Sequence, residues 1–344
     1  MRKVLGFTLA FTLILATSTG CSSSSNTDAK PSPTAEVIPP EPTSLEDLKI
    51  NPESVAYWAW KKSSVKIINS VAKADQASIE VGPNTTPDYL STQVAIDLAS
   101  KLYSDFKQGQ KLNFAYYEYE DTAWAQSKLN NFLGENILGW QKEQARTSCR
   151  SQSDCFGAVA ITHPVKPAGI VLVTASAAGK KDVNHISGTL EAHEYTHIIQ
   201  DEQQGKFLGQ VPRWQAEGEA MFAQAAAIHH LDFAKYKTER QRIIKDLVKN
   251  PEITQSWLID FISPESGLVN WQAWDKYDGW RVYDVGMLIT EVLASFKGPE
   301  STMRLSLEVG KGVSYQKAFE NIYGISWKLA VLIIAEIIYS ELNS

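Results

Sequence analysis

Apolar residues recur at helical spacing over Glu53–Ala74, at Val55, Trp58, Ala59, Val65, Ile68 and Val71. Over Asp88–Phe106 they fall four apart, at Leu90, Val94, Leu98, Leu102 and Phe106. Both stripes predict amphipathic helices that turn these side chains to a core. Aromatic-rich Leu112–Glu118 and the β-branched runs Gly157–Thr162 and Gly169–Thr174 predict strands, with a helix over Ala123–Leu133 among them. Beyond them the pattern is helical. One helix is expected to start near Ser187–Thr189 and stop near Gln204, ahead of Gly205. Others are expected over Arg213–Leu231, Phe233–Lys249, Arg281–Ser295 and Ser326–Leu342. The apolar run Leu329–Ile338 is too short to span a bilayer and contains Glu336, so it reads as a buried closing helix.

The N-terminus departs from this pattern. Arg2 and Lys3 precede the apolar run Leu5–Ala16, and Ser18-Thr19-Gly20 precede Cys21. Residues 1–20 therefore read as a signal peptide, and the small residues before a cysteine resemble a bacterial lipobox, with Ser18 where an aliphatic residue is usual. The expectation is a lipid on Cys21 that holds the protein to a membrane in the bacterial cell envelope, facing outside the cytoplasm. Residues 21–48, rich in Ser, Thr and Pro, read as a flexible tether. Residues 49–344 then form one domain, with an upper lobe over about 49–205 and a helical lower lobe over about 206–344. Cys149 and Cys155 remain as a pair, and a small disulfide loop suits an oxidising compartment. The net charge of −6 and the lack of a basic cluster argue against a nucleic-acid partner. Oligomeric state is not legible.

The candidate chemistry lies at His193-Glu194-Tyr195-Thr196-His197. Positions i and i+4 share one helix face, so both imidazoles can address a single ion. Glu194 leans over the same face, where it could take a proton from a metal-bound water. A tetrahedral Zn2+ needs a third protein ligand, and Glu217 is the candidate. The intervening Gly205, Gly209 and Pro212 suit a helix stop, a loop and a new helix that folds back beside the first. Two histidines, one glutamate and a vacant fourth position make an open, catalytic type of site.

His-Glu-x-x-His followed by Trp214-x-x-Glu217-Gly218-x-Ala220 resembles the gluzincin zinc metallopeptidases, nearest the aminopeptidase-N-like and thermolysin-like catalytic domains. The resemblance spans roughly residues 189–288. It implies an α+β, zincin-like fold: a small twisted sheet with helices above, a mainly helical lobe below, and the site in the cleft between. It also implies that the last strand forms the sheet edge, expected at Ile170–Thr174, where an extended peptide could add through main-chain hydrogen bonds. Tyr283-Asp284-Val285-Gly286 is similar to the family's Tyr-Glu-Lys-Gly segment, whose tyrosine supports the oxyanion. Tyr283 takes that role here, with Tyr277 the competing choice. A single oxyanion donor is worth about 3 to 4 kcal/mol of barrier.

The chain departs from the family in two ways. Met221 stands where thermolysin-like members have an acid four residues after the ligand glutamate, so another group must hold His193 in its tautomer. No Gly-x-Met-Glu-Asn segment precedes the motif, which favours an endopeptidase over an aminopeptidase. Glu219 and Asp201 read as solvated helix residues, and His185 as a loop residue. His229, about 18 Å along a straight helix from Glu217, and its neighbour His230 should not reach the metal. The expected activity is hydrolysis of peptide or protein substrates with Glu194 as general base. The alternative is a catalytically weak zincin-fold lipoprotein that binds an envelope partner.

Overall fold

The computed structural model describes residues 38–175, 182–263 and 277–344. The expected signal segment, Cys21 and the first part of the tether lie outside the described residues. Pro39–Ser344 forms one compact, mixed α+β unit. It begins before the expected tether end at residue 48. The reason is α1 (Leu45–Ile50), capped reciprocally by Ser44 and Asp47, with Leu45 and Leu48 buried.

Four strands form the main sheet, in the order β1 (Ser78–Val81), β2 (Lys111–Tyr117), β6 (Ala168–Thr174), β5 (Ala158–Thr162). The first three run parallel, and β5 lies antiparallel to β6. The segment expected at the edge, Ile170–Thr174, is therefore interior: β6 is paired on both sides, and the edges are β1 and β5. The cause is visible in β6 itself, whose residues from Gly169 onward are all buried, as a strand flanked on both sides must be. A separate ribbon of β3 (Cys149–Ser151) and β4 (Asp154–Cys155) carries the Cys149–Cys155 disulfide across its register.

Helices α2 (Ser54–Asn69) and α3 (Thr92–Leu102) form where the pattern predicted and bury part of each predicted stripe. Val55, Ala59 and Leu102 are buried, and Leu98 and Phe106 pack against the core, but other positions face outward. Val65, Ile68 and Val71 are exposed, as are Leu90 and Val94. The buried faces are Val55, Ala59, Ser63 and Ile67 in α2, and Ala95, Ile96, Ala99 and Leu102 in α3. Small Ala and Ser residues on these faces let neighbouring helices approach closely, and apolar periodicity alone does not register them. Between α3 and the ribbon lie α4 (Thr122–Leu133) and the short α5 (Gln144–Ser148). After β6 come the short α6 (Val183–Ser187), α7 (Thr189–Gln204), α8 (Arg213–Ile228), α9 (Phe233–Ile244) and α10 (Gln255–Ile262). The chain closes with α11 (Arg281–Lys297), α12 (Glu300–Gly310), α13 (Tyr315–Tyr323) and α14 (Trp327–Asn343).

Two cores result. One lies under the sheet, joining Phe114, Val171, Ile198 and Ile199 of β2, β6 and α7. The other is all-helical, joining Leu258, Leu288, Phe319 and Ile334 of α10, α11, α13 and α14. Leu45, Leu48 and Val55 belong to the helical core, so α1 and the start of α2 pack with the later half of the chain instead of the expected upper lobe. The closing helix α14 is buried through most of its apolar positions. Among the described residues no single helix is long and apolar enough to cross a membrane.

Candidate metal centre

Helix α7 lies against α3, α8, α12, β5 and β6 and is buried around most of its circumference. It ends where predicted, with Gly205 at φ 53° reversing the chain. Pro212 opens α8, which runs back against α7. The position of α8 is fixed by a close crossing with α11. A Cβ on Gly218 would lie 2.1 Å from the Gly286 carbonyl carbon, and one on Gly286 would lie 2.4 Å from the Trp214 carbonyl oxygen. Only glycine permits this contact. It sets Glu217, next to Gly218, and Tyr283, one helical turn before Gly286, on the same side of the crossing.

The three predicted ligands meet. His193 Nε2 lies 3.1 Å from His197 Nε2, and Glu217 Oε2 lies 3.6 Å from the first and 3.3 Å from the second. Three lone-pair atoms so close can hold a metal ion. The ring nitrogens that face away are held by amides. His193 Nδ1 pairs with Gln224 Oε1 at 3.0 Å, and His197 Nδ1 pairs with Gln200 Oε1 at 2.8 Å. Gln200 Nε2 donates to the Ala216 carbonyl at 3.0 Å and to Glu219 Oε2 at 2.8 Å. Its oxygen must therefore be the atom facing His197, and Nδ1 the protonated ring nitrogen. Glu219 accepts a further bond from Thr302 Oγ1 at 2.6 Å. Gln224 supplies the support that Met221 does not.

Charge at the site is organised around Glu217. Burial alone would raise its carboxyl, but the His193 and His197 imidazoles and Arg213 outweigh it and hold the group below the usual carboxylate range. Burial would lower His197, yet Glu217 pushes its imidazole up to about 10. Arg213, four residues before Glu217 on α8, binds the other carboxylate oxygen, Oε1, at 3.2 Å. Glu194 is buried, which raises its carboxyl, while the neighbouring imidazoles pull it back; the Ala160 amide of β5 donates to it.

These groups form the floor of a cavity of about 930 Å³ lined by β5, α7, α8 and the start of α11. Tyr283 lines it and stacks on His193 with ring centroids 6.2 Å apart, and burial keeps its hydroxyl protonated well above neutral pH. Tyr277 is engaged elsewhere, donating to Asp260 and packing on Trp257.

Three residues differ from their expected surroundings. Glu219 is fully buried behind His197, where burial pushes its carboxyl up to about 7 despite its bonds to Thr302 and Gln200. Asp201 is partly buried, lines the cavity and accepts from Thr162 Oγ1 at 2.7 Å. His185 is a buried residue of α6, 3.1 Å from Thr174 Oγ1. Glu219 and Asp201 follow from α7 being packed against the sheet and α8 against other helices, while His185 is the one residue of α6 that turns inward, to Thr174. His229 and His230 follow α8 and take no part in the trio. Gln200, Gln224 and Arg213 were missed in the sequence. Gln200 and Arg213 sit at helical spacing from the ligand each one supports, three after His197 and four before Glu217, and that spacing could have found them; Gln224 meets His193 across two helices and had no such signal. Comparison with protein-family models, with curated proteins and with solved structures finds no match for this chain.

Proposed function

We propose that the protein is a zinc-dependent metallopeptidase with a zincin-like catalytic domain, tethered to the membrane of a bacterial envelope through Cys21. The convergence of His193, His197 and Glu217 beside buried Glu194 carries this reading. Tetrahedral zinc with bonds near 2.0–2.1 Å separates its ligand atoms by about 3.3 Å, close to the 3.1, 3.3 and 3.6 Å among the three donors. Neutral imidazoles with Nδ1 protonated present Nε2 lone pairs to such an ion, and one anionic ligand completes the catalytic donor set.

Zinc bound there supplies a Lewis acid that polarises the scissile carbonyl and lowers the pKa of water to about 7. The protein's own groups supply the rest. Glu194 accepts the proton from the attacking water as oxygen bonds to the carbonyl carbon, then delivers it to the amine nitrogen as the C–N bond breaks. Tyr283, kept protonated by its burial, donates a hydrogen bond to the oxyanion. Arg213 steadies the ligand carboxylate from its far oxygen. Ala158–Ala160 of the edge strand β5 line the cavity, an arrangement that suits an extended chain and so supports a peptide substrate; the absence of an amine-binding segment supports cleavage within chains.

The test compares the zinc-loaded protein with Glu194→Gln on a peptide library, with bound zinc measured in both. The expected outcome is a loss of turnover of roughly 10²- to 10⁴-fold with zinc content unchanged. Equal turnover in the two proteins would remove Glu194 as the base. Zinc-loaded wild-type protein that cuts nothing would sink the peptidase reading.

A further inference from the structure

The two faces of the edge strand differ in their backbone partners. The Gly157 carbonyl accepts from the Thr174 amide at 3.0 Å, and the His163 amide donates to the Ala168 carbonyl at 2.8 Å. In an antiparallel pair the hydrogen-bonded residues alternate. Residues 157, 159, 161 and 163 thus turn their backbone groups to β6, and Ala158, Ala160 and Thr162 turn theirs to the open side. The Ala160 amide, which donates to Glu194, agrees with this register. A peptide that adds to the open side in the more stable antiparallel sense runs from the Thr162 end toward the Ala158 end. Ala160 stands beside the base, so the substrate residues before the scissile bond lie toward Thr162.

At that end stands Asp201. It projects from α7 one turn beyond His197, accepts the Thr162 hydroxyl at 2.7 Å, and lines the cavity. Among the described residues no Lys or Arg is paired with it. The cavity's arginines are otherwise engaged: Arg213 with Glu217, Arg242 with Glu239, and Arg281 with Asp284. Burial pushes the Asp201 carboxyl up to about 6, with the Thr162 hydroxyl and His197 pulling it back, so it is anionic at neutral pH. The side chain of a residue directly opposite Thr162 falls on the same face as the Thr162 side chain, toward α7. At about 3.4 Å per residue, that residue lies about two positions from the one opposite Ala160.

We propose that Asp201 selects substrates carrying a cationic nitrogen shortly before the scissile bond, either a Lys or Arg side chain or a free α-amino group. This inference rests on the peptidase reading above and names the substrate class of the same cleft. A partly buried carboxylate that already accepts one neutral hydrogen bond gains a charge-assisted partner from such a group, and an uncharged residue there leaves it desolvated and unpaired.

The test uses the full-length, zinc-loaded protein and internally quenched peptides that carry Lys, Arg, norleucine or Glu at each of the three positions before the bond cut. Each peptide is made with a free and with an acetylated N-terminus. The expected result is a kcat/KM for Lys or Arg roughly 10- to 100-fold above norleucine at one position, the range of one charge-assisted hydrogen bond. In Asp201→Asn, which keeps the Thr162 acceptor, the Lys to norleucine ratio falls toward one. In Asp201→Lys it inverts in favour of Glu. An advantage that survives acetylation assigns the cation to the side chain, and one that acetylation abolishes assigns it to the α-amino group. Wild-type protein that cuts norleucine peptides as fast as Lys peptides, acetylated or free, overturns the proposal and leaves the peptidase reading standing. So does a preference that persists in Asp201→Asn. Failure to cut any peptide is the failure of the peptidase reading itself, and the proposal falls with it.

Discussion

Among the described residues, two buried groups of charged side chains are closed in opposite ways. Between α9, α11 and α14, Arg240 donates to Glu291 at 2.7 Å and to Glu341 at 2.8 Å, while the Tyr236 hydroxyl donates to Glu291. The guanidinium occupies the centre of that cluster, and none of its members lines the cavity. Between α7 and α8, His193, His197 and Glu217 turn three lone pairs to a common point on the cavity floor, and the fixed cation, Arg213, sits on the outer oxygen of Glu217. One cluster carries its countercharge within the chain. The other turns its lone pairs to a point where a cation from outside could bind, and that difference separates a packing device from a candidate site where burial alone does not.

The sharpest way to break the comparison is to remove the built-in cation. Arg240→Met leaves Glu291 and Glu341 buried with no partner of opposite charge, and burial already pushes Glu341 up to about 7 against the pull of Arg240. Losing one member of such a pair costs about 3 to 5 kcal/mol. Denaturant unfolding should register that loss, while the folded fraction still binds zinc with wild-type affinity. If Arg240→Met weakened zinc binding as Glu217→Ala is expected to, the two clusters would be one coupled unit and the contrast would fail.

A third buried acid sharpens the point, since it has neither a cation nor a place for one. Glu191 on α7 is 1% exposed and accepts the Tyr116 hydroxyl, at 2.8 Å, and its own backbone amide. Burial pushes its carboxyl from 4.5 up to about 7, with Tyr116 pulling back. A raised carboxyl makes the protonated form the one that the fold prefers. Its contribution is fully present below about pH 4.5 and is lost as pH rises through 7. Glu191→Gln should remove up to about 3 kcal/mol from the pH dependence of stability over that interval. Urea unfolding of both proteins at pH 5 and pH 7.5 measures it, and parallel pH profiles would mean that Glu191 ionises inside the fold at no cost.

Legibility of the site in the sequence divides along the same physical lines. His193, Glu194 and His197 could be read directly because helical spacing alone puts them together. Glu217 followed from a glycine and proline pattern that turns one helix back on another. Gln224 and the Gly218–Gly286 contact could not, because their roles exist only once α8 has crossed α7 and α11. The predicted stripes on α2 and α3 held at Val55, Ala59 and Leu102 and missed at Val65, Ile68, Val71, Leu90 and Val94, for a related reason. Alanines and serines, which periodicity does not count as strong apolar signals, line the close helix contacts, and the larger Val65 and Val94 are left outside. Sheet order was illegible because β6 inserts between β2 and β5, an order that the succession of strands along the chain does not reveal.

The finest test concerns the amides behind the imidazoles. Gln224 is 2% exposed and accepts from His193 Nδ1, so it fixes which ring nitrogen keeps its lone pair for the metal. In Gln224→Leu the ring loses that acceptor, its donor is left unpaired in a dry setting, and the tautomer with Nδ1 unprotonated gains population. Supporting residues of this kind contribute about 10- to 100-fold in metal affinity. Competition with a zinc-binding dye should therefore report a zinc Kd raised by roughly that factor, with an unchanged fold. Gln224→Glu, which restores an acceptor and adds negative charge, should return the affinity to wild type or above it. If the leucine variant bound zinc as tightly as wild type, the amide would be packing alone, and the metal cluster would need no more support from its surroundings than the self-contained Arg240 cluster does.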